Sequence, residues 1–97
     1  MRLFEANDKS GRKIYATNER WSHIASEHPV VADKIEEIKD TLAKPLTVTQ
    51  SENDSNVRFY YRYYKNIKLR AKYLMVMVKF LNGEGFIITS FYTDKIK

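Results

Sequence analysis

With 97 residues, of which 43% are hydrophobic and 30% charged, the chain has the makeup of a folded domain with one core and is too short for two. Cysteine is absent, so disulfides, thiolate nucleophiles and thiolate metal sites are excluded together. Seventeen Lys plus Arg against twelve Asp plus Glu leave a net charge of +5, a balance that attracts nucleic acid or an acidic protein.

In chain order, Leu3-Phe4-Glu5 and Lys13-Ile14-Tyr15-Ala16 read as two short strands around a Lys9-Ser10-Gly11 turn. Nothing in the opening Met1-Arg2-Leu3-Phe4-Glu5 has the apolar core of an export signal, and no stretch reaches the roughly 20 apolar residues of a membrane span. The cytoplasm is therefore the expected compartment. Thr17 or Asn18 can cap a helix that turns Trp21, Ile24 and Ala25 to one side and stops near His28. Pro29 disfavours helix at His28 yet suits the first turn of a second helix, along which Val31, Ile35, Ile38 and Leu42 form an apolar stripe until Pro45. Beyond Pro45 the period changes to two. Strands are predicted over 46–49, 57–64, 73–80 and 86–92, the last two joined through Asn82-Gly83-Glu84-Gly85. Helices followed by an antiparallel meander predict a single α+β domain, with the helices packed on one face of the sheet and the other face left for function.

Alternation along 57–64 gathers Arg58, Tyr60, Arg62 and Tyr64 on one side and Val57, Phe59, Tyr61 and Tyr63 on the other. If exposed, the first side would hold phosphates in guanidinium forks and stack unpaired bases on its rings; if not, it is an ordinary strand with solvated arginines. His23 lies between Glu19 and Glu27 at i−4 and i+4, while His28 follows the Trp21 and Ile24 side. Each is either a solvated or capping residue or a proton carrier suited to neutral pH, and only the break at Pro29 can bring the two together. Thr89, Ser90, Tyr92 and Thr93 offer hydroxyls in the last strand, as sheet filler or as phosphate ligands, with Lys95 just beyond. With two histidines, no HExxH and no repeated Asp-x-Asp, no metal or other cofactor is expected.

From Trp21 to Lys95, the ordered set His23-Ile24, His28-Pro29, Pro45, Tyr60-Tyr61-Arg62, Tyr73 through Lys79 and Gly85 through Asp94 resembles the ribonuclease superfamily of barnase, EndoU, colicin nucleases and RelE-like toxins, in its small phage-linked branch. That resemblance implies two N-terminal helices on a four-stranded antiparallel sheet, a toxin that cuts RNA without metal, and a small acidic antitoxin as partner. It carries His28 and Arg62 over first as catalytic residues, then His23 and Thr89, with Tyr60 and Tyr92 in support. Arg58, Tyr64, Lys79 and Lys95 complete the expected substrate contacts. One histidine would take the 2′-proton, the other would protonate the leaving 5′-oxygen, and the arginines would hold the phosphorane. A non-catalytic RNA- or DNA-binding module, or an adaptor docking an acidic protein, is the competing expectation.

Overall fold

The structure, a computed structural model, describes residues 1–97. Its elements are β1 (Arg2–Asn7), β2 (Lys13–Thr17), α1 (Asn18–Glu27), a single 3₁₀ turn (Pro29–Val31), α2 (Ile35–Ala43), β3 (Thr47–Gln50), β4 (Val57–Tyr63), β5 (Tyr73–Leu81) and β6 (Glu84–Thr93). Thr17 caps α1, its hydroxyl accepting from the Arg20 amide at 3.1 Å. The helix ends at His28, whose φ of −131° and ψ of 73° lie outside the helical region that a following proline disfavours.

The second helix departs from expectation. Pro29 starts one 3₁₀ turn, held by amides of Val31, Ala32 and Lys34 bonding carbonyls three residues back, and α2 proper begins only at Ile35. The apolar stripe survives the interruption, with Val31, Ile38 and Leu42 fully buried and Ile35 packed against them.

The sheet also corrects the sequence-based prediction, being six-stranded and mixed rather than four-stranded and antiparallel, in the order β1-β2-β6-β5-β4-β3. Every neighbouring pair is antiparallel except β2 with β6. The physical reason lies at Gly85. A Cβ there would come within 2.7 Å of Val78, 2.8 Å of Phe80 and 3.1 Å of Ile14, so the missing side chain leaves room for Ile14 of β2 to settle beside β6. The N-terminal hairpin is thereby drawn into the sheet.

Both helices cover one face. Trp21, Ile24, Val31, Ile38 and Leu42 meet Phe4, Ile14 and Ala16 from the hairpin and Tyr60, Leu74, Val76, Val78 and Ile87 from the central strands. Each fully buried aliphatic side chain contributes about 1.5–3 kcal/mol through removal from water. On the opposite face Phe59 and Tyr61 of β4, Met75 and Met77 of β5 and Thr89, Phe91 and Thr93 of β6 line one hollow, with Lys95 and Lys97 of the tail at its rim. The Lys97 amide donates to the Tyr61 hydroxyl at 3.3 Å, so the tail folds back along this face.

Two local devices decide what β6 presents there. Asn82 and Gly83, with φ of 56° and 84°, make a two-residue turn of the kind that matches strand twist. Opposite the step from Met77 to Val78, which pair with Thr89 and Ile87, β6 carries Ile88 as an extra residue. This bulge puts Phe86 and Phe91, five residues apart, on the same side, since their partners Lys79 and Met75 alternate regularly.

Candidate functional site

The structure turns Arg58, Tyr60, Arg62 and Tyr64 toward the helices and leaves Phe59 and Tyr61 on the other face. The exposed-side reading of that quartet is therefore corrected: Tyr60 is wholly buried, its hydroxyl donating to Asp8 at 2.8 Å and lying 3.2 Å from the Arg12 guanidinium. Burial first, and then the Asp8 carboxylate, push the Tyr60 phenol far above its ordinary range, so it stays protonated. Tyr64 donates to the Glu37 carbonyl at 3.0 Å. Arg62 donates to the Lys44 carbonyl at 2.6 Å, satisfying the C-terminus of α2, and Arg58 donates to the Ser55 carbonyl. Arg62→Ala is accordingly expected to cost about 1 kcal/mol in a urea titration, while the folded fraction keeps whatever activity the wild type has.

Lys79, another expected contact, is held by Asp54 at 2.9 Å, and this bond keeps the Asp54 carboxyl below its usual range. The two histidines also separate. His23 stands out from α1 with its Nε2 3.1 Å from the Glu27 carboxylate, beside Thr17, Glu19 and Arg20. His28 instead packs its ring on Phe91, centroids 5.1 Å apart, inside a groove that does not contain His23.

That groove lies between the helix break and the loop 64–72 that joins β4 to β5. β2 pairs with β6 only at its first residues, Ile14 with Gly85 and Tyr15 with Phe86, so the later edge of β6 is free and the end of α1 and the 3₁₀ turn close over it. The cavity is about 350 Å³, walled by Glu27, His28, Pro29, Val30 and Val31 on one side, Leu69, Arg70 and Ala71 on the other, and floored by Phe91 and Tyr92. A second hollow of about 320 Å³ shares Val30, Leu69 and Tyr92 and adds Lys34, Asn66, Ile67 and Lys68. The loop is fastened at its base by the Tyr64 amide bonding the Lys72 carbonyl at 2.8 Å, and across itself by the Lys72 ammonium bonding the Ile67 carbonyl at 2.6 Å. The Arg70 and Lys68 side chains make no hydrogen bond or ion pair, so their charges are free for a ligand.

Tyr92 sits where both hollows meet, its hydroxyl buried and without a partner. Burial, and after it the carboxylate of Glu37, push its phenol up to about 12, so it stays a proton donor throughout the neutral range. On the far side of Phe91, Thr89 and Lys95 line the open-face hollow of about 150 Å³. The residues brought together around Phe91 are thus His28, Tyr92, Thr89 and Lys95; His23, Arg58, Arg62, Tyr60, Tyr64 and Lys79 lie elsewhere. Nowhere do three His, Asp or Glu side chains converge as a metal-holding group.

Strand periodicity does not single out Arg70 and Lys68, because they stand in the connection between β4 and β5. A signal was there: Lys65, Lys68, Arg70 and Lys72 crowd four cations into eight residues that carry no acid. Chemically, the groove offers an imidazole on an aromatic ring, an unpaired guanidinium across from it, a free ammonium and a protonated phenol over an apolar floor. Such a set has the chemistry to hold an anion and to exchange one proton. No helix is long and apolar enough to cross a membrane. In comparison with known proteins, the chain matches no family model, no curated sequence and no solved structure.

Proposed function

We propose that this protein is an endoribonuclease of the toxin type that cuts single-stranded RNA in the groove between the α1 break and the loop 64–72. The observation that carries the reading is the pairing of His28, stacked on Phe91, with the unpaired Arg70 across the same cavity. The net charge of +5 and the resemblance to the barnase, EndoU, colicin and RelE-like group point the same way.

RNA brings its own nucleophile, so the protein must supply a base, charge and alignment. His28 takes the proton from the 2′-hydroxyl as that oxygen attacks the neighbouring phosphorus. Arg70 and Lys68 balance the charge that grows on the phosphoryl oxygens. The P–O5′ bond breaks and the departing oxygen takes a proton from water, because the second histidine lies outside the groove. The products are a 2′,3′-cyclic phosphate and a 5′-hydroxyl. A cytoplasmic setting and a small acidic antitoxin that masks the basic groove belong to the same proposal.

A binding module without chemistry is the second reading, favoured by the aromatic and methionine side chains of the open hollow. Purified protein incubated with end-labelled RNA in EDTA separates the two. Cleavage leaving cyclic phosphate is the expected result. RNA that is bound and left intact would establish the module instead, and cleavage that EDTA abolishes or that leaves 3′-hydroxyl ends would overturn the mechanism.

A further inference from the structure

The helix α1 carries a second row of groups along the same edge of β6. Arg20, His23 and Glu27 fall at i, i+3 and i+7, one side of the helix, and Glu27 already lines the His28 groove. Seven residues at 1.5 Å each put Arg20 about 10 Å further along the helix from that groove. At that point the surface is concave again. A hollow of about 240 Å³ is formed by Tyr15, Thr17, Arg20, Phe86 and Ile87, and it shares Thr17 and Arg20 with a polar one of about 400 Å³ that adds Glu19 and His23.

Three features make this more than a rough patch. The Arg20 side chain is exposed and makes no hydrogen bond or ion pair, only its backbone amide being used by the helix cap. The rings of Tyr15 and Phe86 lie 6.3 Å apart at 41°, and the Arg2 guanidinium stacks over Tyr15 at 3.8 Å, fixing that ring from one side. The bulge at Ile88 sets Phe86 on the same side of the sheet as Phe91, so the two aromatic positions share the open face, and each borders α1 at the sheet edge, Phe86 in the hollow with Arg20 and Phe91 against His28.

From these we infer that Arg20 with Tyr15 and Phe86 forms a second nucleotide subsite, taking the phosphate and base roughly one or two nucleotides away from the linkage held at His28. The inference rests on the proposed RNA-cleaving groove and extends it into a track with a minimum substrate length. A guanidinium contributes here as a charge-assisted phosphate ligand, and the ring pair stacks any base, so the subsite adds affinity without sequence preference.

The test uses 2′-O-methyl oligonucleotides, which lack the attacking hydroxyl, of two and of six nucleotides, with binding followed by fluorescence anisotropy. Wild type should bind the hexamer well above the dimer. Arg20→Gln should lower hexamer affinity about tenfold, leave dimer affinity unchanged, and reduce the slope of log K against log salt by about 0.7, the signature of one lost phosphate contact. Arg20→Ala should do the same, so the effect does not depend on one replacement. Unchanged hexamer affinity and salt slope in both variants would overturn the subsite even if the wild type cleaves RNA. Arg20-dependent hexamer binding by a protein that cuts nothing would uphold the track and remove the catalytic reading. Absence of binding to either length would sink both.

Discussion

His28→Ala is expected to lower the single-turnover rate of RNA cleavage by about 10²–10⁴-fold, the scale of a lost general base. The ring stacks on Phe91 in the groove and is the one imidazole there, a side chain that can accept a proton on one ring nitrogen while donating from the other. Its loss should be largely separable from stability. The helix end is held by the His28 backbone amide on the Ile24 carbonyl at 2.7 Å, which any side chain preserves, so the substitution should cost about 1 kcal/mol, from the ring contact alone. His23→Ala provides the contrast: its exposed pair with Glu27 is worth little, and activity and melting temperature should both stay near wild type. Equal losses from the two substitutions would mean that the groove is not where the proton moves.

The largest stability effect is expected at Asp8. Its side chain is completely buried, yet it accepts from the Ser10 and Arg12 amides at 2.9 Å each, from Arg12 Nε at 3.0 Å and from the Tyr60 hydroxyl at 2.8 Å. With the Lys9 amide on the Leu42 carbonyl at 3.0 Å, and the Arg12 guanidinium stacked over Phe80, it ties the β1–β2 hairpin to α2 and to β4. Asp8→Ala strands the Tyr60 hydroxyl in the core along with two turn amides, and should cost about 3–5 kcal/mol, read as a shift of the urea midpoint. Burial by itself raises the Asp8 carboxyl, but the hydrogen bonds from Tyr60, Arg12 and Ser10 outweigh it and hold the carboxyl below its ordinary value. A folded-state pKa below the unfolded one gives stability that is present above about pH 4 and lost as pH falls through the folded value. The gap between wild type and Asp8→Asn should therefore be wide at pH 7 and close toward pH 2; a gap that is constant with pH would show that the carboxylate charge is not what stabilises the turn.

Much of this architecture could be read from local pattern. The capped first helix, the stop at Pro29, the stripe from Val31 to Leu42 and the tight turn at Asn82-Gly83 each rest on chemistry within a few residues. What escaped depends on contacts between distant segments. Alternation sorts Arg58, Tyr60 and Arg62 from Phe59 and Tyr61, but which side the helices cover is set by the whole sheet. The partner that makes a buried Tyr60 tolerable is Asp8, 52 residues earlier. Gly85 reads as part of a turn, although its missing Cβ is what admits a parallel strand and enlarges the sheet. The bulge at Ile88 breaks the period of two, so no strict alternation places Phe86 and Phe91 together. Of the candidate site, His28, Tyr92, Thr89 and Lys95 were legible by residue type, whereas Arg70 and Lys68 needed the loop to fold back over the helix break.

A DNA oligonucleotide carrying a single ribonucleotide tests the central claim most directly. Wild type should cut it once, immediately 3′ of the ribonucleotide, in EDTA, to leave a 2′,3′-cyclic phosphate, and His28→Ala should leave it intact over the same time. Cutting at deoxyribonucleotide linkages, or equal cutting by His28→Ala, would contradict the account.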